Sequence, residues 1–204
     1  MRIHAALPSS LVPRRADGRA LRGLRATLLV LGAVIAPFAV ALSHAAPEAS
    51  EAEIKAAFLV RFGNYIDWPA GGASAASAPF GIDVLGDSAI AAELERAASH
   101  SQVASRAIQV RRLAPGDSLG DARIVFLARS ESGRLGEVLA SARDQPILVV
   151  TEVDGAVPSG AALNFVVVDN KVRFDVDLTA AEAAHLKISA RLLSVAHRVI
   201  GAPR

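Results

Sequence analysis

The run ALNFVVVDNKVRFDVDL, residues 162–178, decides how the C-terminal half of the chain folds. Asp169 and Asn170 can take the left-handed backbone angles of a two-residue hairpin turn. Beyond them, Val172, Phe174 and Val176 alternate with Arg173, Asp175 and Asp177, the period-two pattern of a strand with one apolar and one polar face. On the polar side, Asp175 and Asp177, partly neutralised by Arg173, read as a solvated face in preference to a cation site. Downstream, Thr179 and Glu182 have the spacing of a capping box. Leu186, Leu192, Leu193, Ala196 and Val199 carry the expected last helix to about residue 199.

Upstream, residues 51–65 place Ile54, Ala57, Phe58, Phe62 and Tyr65 at spacings of three and four, one face of a helix that Pro69 ends. Phe58, Phe62 and Tyr65 are expected in the core. Trp68, past the helix end, can pack on a sheet while its N–H finds an acceptor; a place at a pocket rim is the competing reading. Arg61 and Asn64 face elsewhere on the same turns and are candidate partner contacts. Residues 70–79 are a small-residue linker. Strands are expected at 80–87, 107–112, 123–127 and 147–150, the last two as continuous apolar runs covered on both faces. Helices are expected at 89–98 and 131–142. The sum is one α/β domain, a mixed sheet of about six strands with helices packed against it.

Residues 1–45 have a different character. Six arginines precede an uncharged apolar run at 26–42, and Ser43 and Ala45 follow with the small side chains that a signal peptidase needs. This is the order of a secretory signal; an uncleaved N-terminal anchor is the alternative, set against it by the shortness of the run and by Pro37. Six of the 22 Lys+Arg and one of the 20 Asp+Glu lie in this leader, so a net charge of +2 for the whole chain becomes −3 for residues 46–204. No basic face for nucleic acid follows. The remaining 159 residues suit one self-supporting domain. With no cysteine, disulfides, thiolate metal sites and Cys nucleophiles are excluded.

Catalytic patterns are thin. GDSL at residues 116–119 spells the nucleophile block of an esterase family, and Gly86, Asp87 and Ser88 repeat most of it after a strand. An Asp-x-x-His near the C-terminus and a Gly-x-Asn-Asp block, the partners such a hydrolase uses, do not occur; His185 follows Glu182 in what reads as mid-helix. Gly, Asp and Ser are turn formers, and both copies read as turns. His185 and His197, twelve apart, do not share a helical face, so no metal pair forms. No phosphate-binding glycine loop or other cofactor motif is present.

Taken in order, Lys55 to Leu59, Phe62, Trp68, Pro69, Leu85, Gly86, Asn164, Phe165, Arg173, Phe174, Leu186 to Ser189, Leu192 and Leu193 resemble the pattern of the YfiR family. The resemblance implies an exported periplasmic protein, without catalysis or cofactor, that represses a membrane diguanylate cyclase by binding its periplasmic domain. Cyclic di-GMP signalling and biofilm formation would be the outputs. It further implies sequestration by an outer-membrane lipoprotein partner, with a homodimer as another option. Arg61, Asn64, Trp68 and Arg173, with Lys187, Arg191 and Arg198 on the expected last helix, are the candidate partner-binding residues. The alternatives are a periplasmic ligand-sensing accessory of another membrane receptor, such as a histidine kinase, and an exported GDSL-like esterase. The chain departs from the family at Ala122, where relatives often carry cysteine, at Ala161 in a usual glycine pair, and at Asp177 in place of a common Asn. Redox control through disulfides is thereby excluded here.

Overall fold

The computed structural model describes residues 49–69, 78–154, 157 and 160–201, which fall within one compact unit, Ala49–Arg204. The expected signal segment at 1–45 and most of the expected linker, residues 70–77, lie outside the described residues. Helix α1 (Glu51–Tyr65) starts at Ser50, whose side-chain oxygen accepts from the Glu53 N–H at 3.1 Å. Strand β1 (Ile66–Asp67) follows directly. Next come β2 (Phe80–Leu85), α2 (Ser88–Ala98), β3 (Gln102–Val103), β4 (Arg106–Leu113) and β5 (Ala122–Leu127). A 3-10 turn (Arg129–Arg134) leads into α3 (Leu135–Ser141) and β6 (Leu148–Thr151). The hairpin β7 (Leu163–Val168) and β8 (Lys171–Asp177) precedes α4 (Leu178–Ala183), β9 (Lys187–Ile188), α5 (Ala190–Leu193) and β10 (Arg198–Ile200).

The α/β class with a mixed sheet is as expected, but the sheet has eight strands among the described residues, in the order β10-β8-β7-β6-β5-β2-β4-β3, beside a two-stranded β1-β9 ladder. The six foreseen strands are all present; those missed have two or three residues each, too short to show a period. Strands β4, β2, β5, β6 and β7 run parallel, and β5 and β6 are buried along their whole length, as their unbroken apolar runs predict. One face of the sheet packs on α1 and α2 through Leu59, Phe62, Ile82, Ile90, Phe126 and Phe174. The other packs on α3 through Val125, Leu127, Val138 and Val149. At the hairpin turn, Asp169 and Asn170 have φ of 49° and 57°, the left-handed pair their identity favours.

Helix α1 buries a wider arc than the spacing predicts. Lys55, Ala56, Leu59, Val60, Phe62 and Gly63 are buried, Phe58 and Tyr65 are half-buried, and Ala57 is exposed. The cause is contact on two sides, with the sheet and with α2. Gly63 permits part of this approach: a Cβ there would stand 2.8 Å from the Val103 side chain.

The C-terminal part corrects the expected long helix. Asp177, and not a Thr179–Glu182 capping box, starts α4, its carboxylate accepting from Thr179 N at 2.9 Å and Ala180 N at 3.2 Å. The helix ends after six residues in a Schellman arrangement, with Leu186 N donating to Ala181 O and His185 N to Glu182 O, both at 2.9 Å. His185 takes the left-handed position at φ 57°, so it stands at a helix end and not in mid-helix. A glycine would have announced this stop; a histidine does not. Lys187 and Ile188 then pair with Asp67 and Ile66, Ser189 caps α5, and β10 joins the sheet beside β8. The 131–142 helix is likewise divided, its first turn being 3-10.

The polar face of β8 is corrected as well. Asp175 is only 2% exposed and is held by Arg198 at 2.6 Å and His197 Nδ1 at 3.1 Å, while exposed Arg173 takes no part. Phe62→Ala should lower stability by about 3–5 kcal/mol, through lost burial and the cavity left among packed rings. The urea midpoint would fall at constant slope; a loss under about 1 kcal/mol would show that α1 is not the core helix.

Candidate functional site

In a sheet built mostly of parallel strands, crevices open at the carboxyl ends where the chain reverses its direction of travel. Here the chain leaves β2 for β4 on one side and returns to β5 on the other. The segments after β2, β5 and β6 deliver Asp87, Arg129 and Glu152 to one edge, and the first turns of α1 bring Glu51 and Lys55 across it. With Phe165, Val166 and Val167 these residues line a recess of about 240 Å³.

Lys55 is the buried charge of this recess, at 6% exposure. It lies on the same helical stripe as Leu59 and Phe62, which draws its stem into the core and leaves the ammonium at the sheet edge. There it pairs with Glu152 and, at 2.5 Å, with Glu51. The second oxygen of Glu152 accepts from Arg129 N at 2.9 Å, and the Arg129 guanidinium donates to Asp154 at 2.9 Å. Burial by itself pushes the Lys55 ammonium pKa down, but the Glu152 and Glu51 carboxylates outweigh it and raise the pKa above 10.5. Asp87 is occupied with capping α2, accepting from Ile90 N at 2.9 Å. The recess is therefore a brace of mutually satisfied charges that ties α1 to the loops after β5 and β6. Its rim remains open to a partner.

A second buried carboxylate braces the opposite face. Asp83, fully buried in β2, receives the Arg111 fork at 2.8 and 2.5 Å, and Arg111 also donates to Leu119 O at 2.8 Å. Burial pushes the Asp83 carboxyl up, against the pull of the guanidinium; the two-point geometry keeps the ion pair. This contact pins the loop that holds the GDSL letters. In that loop Gly116 has φ 91° and Asp117 accepts from Ala114 N at 2.8 Å, a turn role. The second copy is equally local, with Gly86 at φ 82° and Asp87 as helix cap. No group of three His, Asp or Glu side chains able to hold a metal occurs among the described residues.

Of the residues proposed from sequence for partner contact, Asn64, Trp68, Lys187 and Arg191 are brought around residues 64–68, at the end of α1 and along β1, whereas Arg173 and Arg198 lie on β8 and β10. Asn64 braces the β3–β4 turn, donating to Gln102 O at 3.2 Å and accepting from Ala104 N at 3.3 Å. That turn is Ala104 and Ser105, both at positive φ, which explains why a side-chain clamp is needed. Trp68 donates to Gly63 O at 3.1 Å, meets Phe80 edge-on and has buried Arg123 over its ring at 6.0 Å. Arg191 lies over Tyr65 at 5.9 Å, and Arg198 holds Asp175. Arg61, Arg173 and Lys187 are exposed on α1, β8 and β9. Because the expected last helix is broken, Lys187, Arg191 and Arg198 do not share a helical face. The Lys55–Glu152 pair was missed, although a lone lysine within an apolar stripe is a readable sign of a buried partner.

Lys55→Ala should cost about 3–5 kcal/mol, since it leaves Glu152 without its counter-ion in a half-dry site, and Lys55→Met with Glu152→Leu should recover most of that. The folded pKa is raised, so the contribution of the pair is complete below the ordinary lysine value of 10.5 and is lost as pH rises through the folded value. The stability gap between wild type and Lys55→Met, measured by urea unfolding, should accordingly close above pH 10.5 and stay constant from pH 7 to 9. A gap that narrows below pH 9 would refute the assignment.

Among the described residues, no helix is long and apolar enough to cross a membrane. No curated protein matches the chain. The pattern of the YfiR/HmsC-like family matches residues 52–197, from the first turn of α1 to the histidine that meets Asp175. The matched range runs from the second residue of α1 through α5 and includes Lys55, Glu152 and the hairpin. The chain thus belongs to the YfiR/HmsC-like family.

Proposed function

We infer that the protein is an exported periplasmic regulator that represses a membrane diguanylate cyclase by binding its periplasmic domain. The observation that carries this reading is the family match over residues 52–197. The leader at 1–45, with its basic, apolar and small-residue order, supports export. The absence of cysteine fits a fold that relies on packing and ion-pair braces in that compartment. An outer-membrane lipoprotein that competes for the same surface would relieve repression.

The physical mechanism is population shift. The regulator acts only by binding the inactive cyclase more tightly than the active one, and moving the balance from 1:99 to 99:1 needs about 10⁴-fold preference. By linkage the cyclase must then hold the regulator more tightly in its inactive form. A rigid domain serves this well, because it loses little conformational freedom on binding.

Deleting the gene in its own host should raise cyclic di-GMP and biofilm mass, and removing the catalytic activity of the cognate cyclase in the same strain should abolish the rise. Unchanged cyclic di-GMP while that cyclase is expressed would refute the reading.

A further inference from the structure

Val167, Val195 and Val199 are the exposed large hydrophobic residues of the described chain; Val199 lies on β10, an edge strand of the eight-stranded sheet, and Val195 in the turn that leads into it. Among the described residues β10 pairs with β8 alone, so within them its outer backbone groups have no neighbouring strand. Sheet edges of this kind are normally blunted or covered, because they accept any extended chain. Here the edge is held in place from inside. His197 N donates to Phe174 O at 2.8 Å, and the buried Asp175 carboxylate grips both the Arg198 guanidinium and the His197 ring.

Both signs of charge occur at this edge, but Asp175 is matched by Arg198 and Asp177 is taken up in capping α4, which leaves two cations facing the lone turn acid Asp169. Lys171 and Arg173, two apart on β8, are exposed on its polar side, and among the described residues neither is paired with a carboxylate. Elsewhere Arg111, Arg112 and Arg129 each have one. With Val195, His197 and the single acid Asp169, the two cations line a recess of about 280 Å³ beside the edge.

We propose that the β8–β10 corner is a strand-addition site for an extended, acidic segment of a partner protein. The strand edge supplies main-chain hydrogen bonds whatever the partner sequence, and side-chain neighbours supply selectivity. Val195 and Val199 give apolar contact, while Lys171 and Arg173 select carboxylates and steer them in. Charge complementarity favours this occupant over a second copy, since two copies would bring like-charged corners together. The inference rests on the reading of the protein as one that acts by holding another.

The test places a photo-crosslinking residue at Val199 of the full chain in its own host, with Gln109 on the exposed side of β4 as control position. Irradiation should join Val199, and not Gln109, to a partner whose cross-linked peptide is rich in Asp and Glu. Lys171→Glu with Arg173→Glu should reduce the adduct at least about tenfold, equivalent to 1.4 kcal/mol, and Lys171→Arg with Arg173→Lys should retain it. A neutral or basic peptide, an adduct between two copies, equal adducts at Gln109, or indifference to charge reversal would each overturn the proposal. Cyclic di-GMP is measured alongside. Repression without an adduct overturns this surface alone, whereas the acidic adduct with no response to deletion upholds the surface and overturns the proposed function.

Discussion

The fold depends on the seating of one amphipathic helix across the hairpin end of the sheet. Phe62 stacks near Phe165 with ring centroids 5.8 Å apart and meets Phe174 edge-on at 5.1 Å. Phe58 closes the same cluster at 5.4 Å from Phe174, and Phe126 joins it from β5 at 6.1 Å from Phe165. Five of the chain's seven phenylalanines thus meet at one place. Such rings bury large areas and add directional contacts of about 0.5–1.5 kcal/mol per pair beyond area alone. They join the first described helix to strands more than a hundred residues later in the chain.

Charge does a different task from the rings. Lys55 with Glu152, and Asp83 with Arg111, each fix a loop to a buried charge on opposite faces of the sheet. Well-packed apolar groups could replace such pairs with little loss, but an orphaned member would be costly, so each pair specifies where its loop lies more than how stable the domain is. Asp175 works in the same way at the edge, where it determines that the chain after α5 returns to the sheet. A domain that acts by presenting a surface gains from loops and edges that are held in one position.

Much of this was readable in advance where a pattern was long. The β8 alternation runs over six residues from Val172 to Asp177 behind its Asp-Asn turn, and the apolar runs at 123–127 and 147–150 are unbroken enough to mark β5 and β6. Short elements were invisible for the opposite reason. β1, β3, β9 and β10 have two or three residues, and the turn between β3 and β4 is Ala-Ser, which has no preference for positive φ. The end of α4 was misread because apolar residues beyond it continue a helix-like pattern while Leu186 belongs to a turn, Leu192 and Leu193 to α5 and Val199 to β10. In the candidate site, Arg61 was correctly read as outward-facing, but Asn64 is exposed and still engaged as a clamp.

By itself the sequence determined the class of the domain, its central strands, the first helix and the family, because these rest on periodicity and on ordered motifs spread over the chain. Tertiary structure alone decided which polar residues are buried. Asp83 and Asp175 look like ordinary surface charges when read along the chain, and become internal only because Arg111 and Arg198 arrive from other segments; the stripe around Lys55 hints at burial, but the fold alone supplies Glu152 as its partner. Whether a charge can leave water depends on the partner that meets it, and that partner is chosen by the fold.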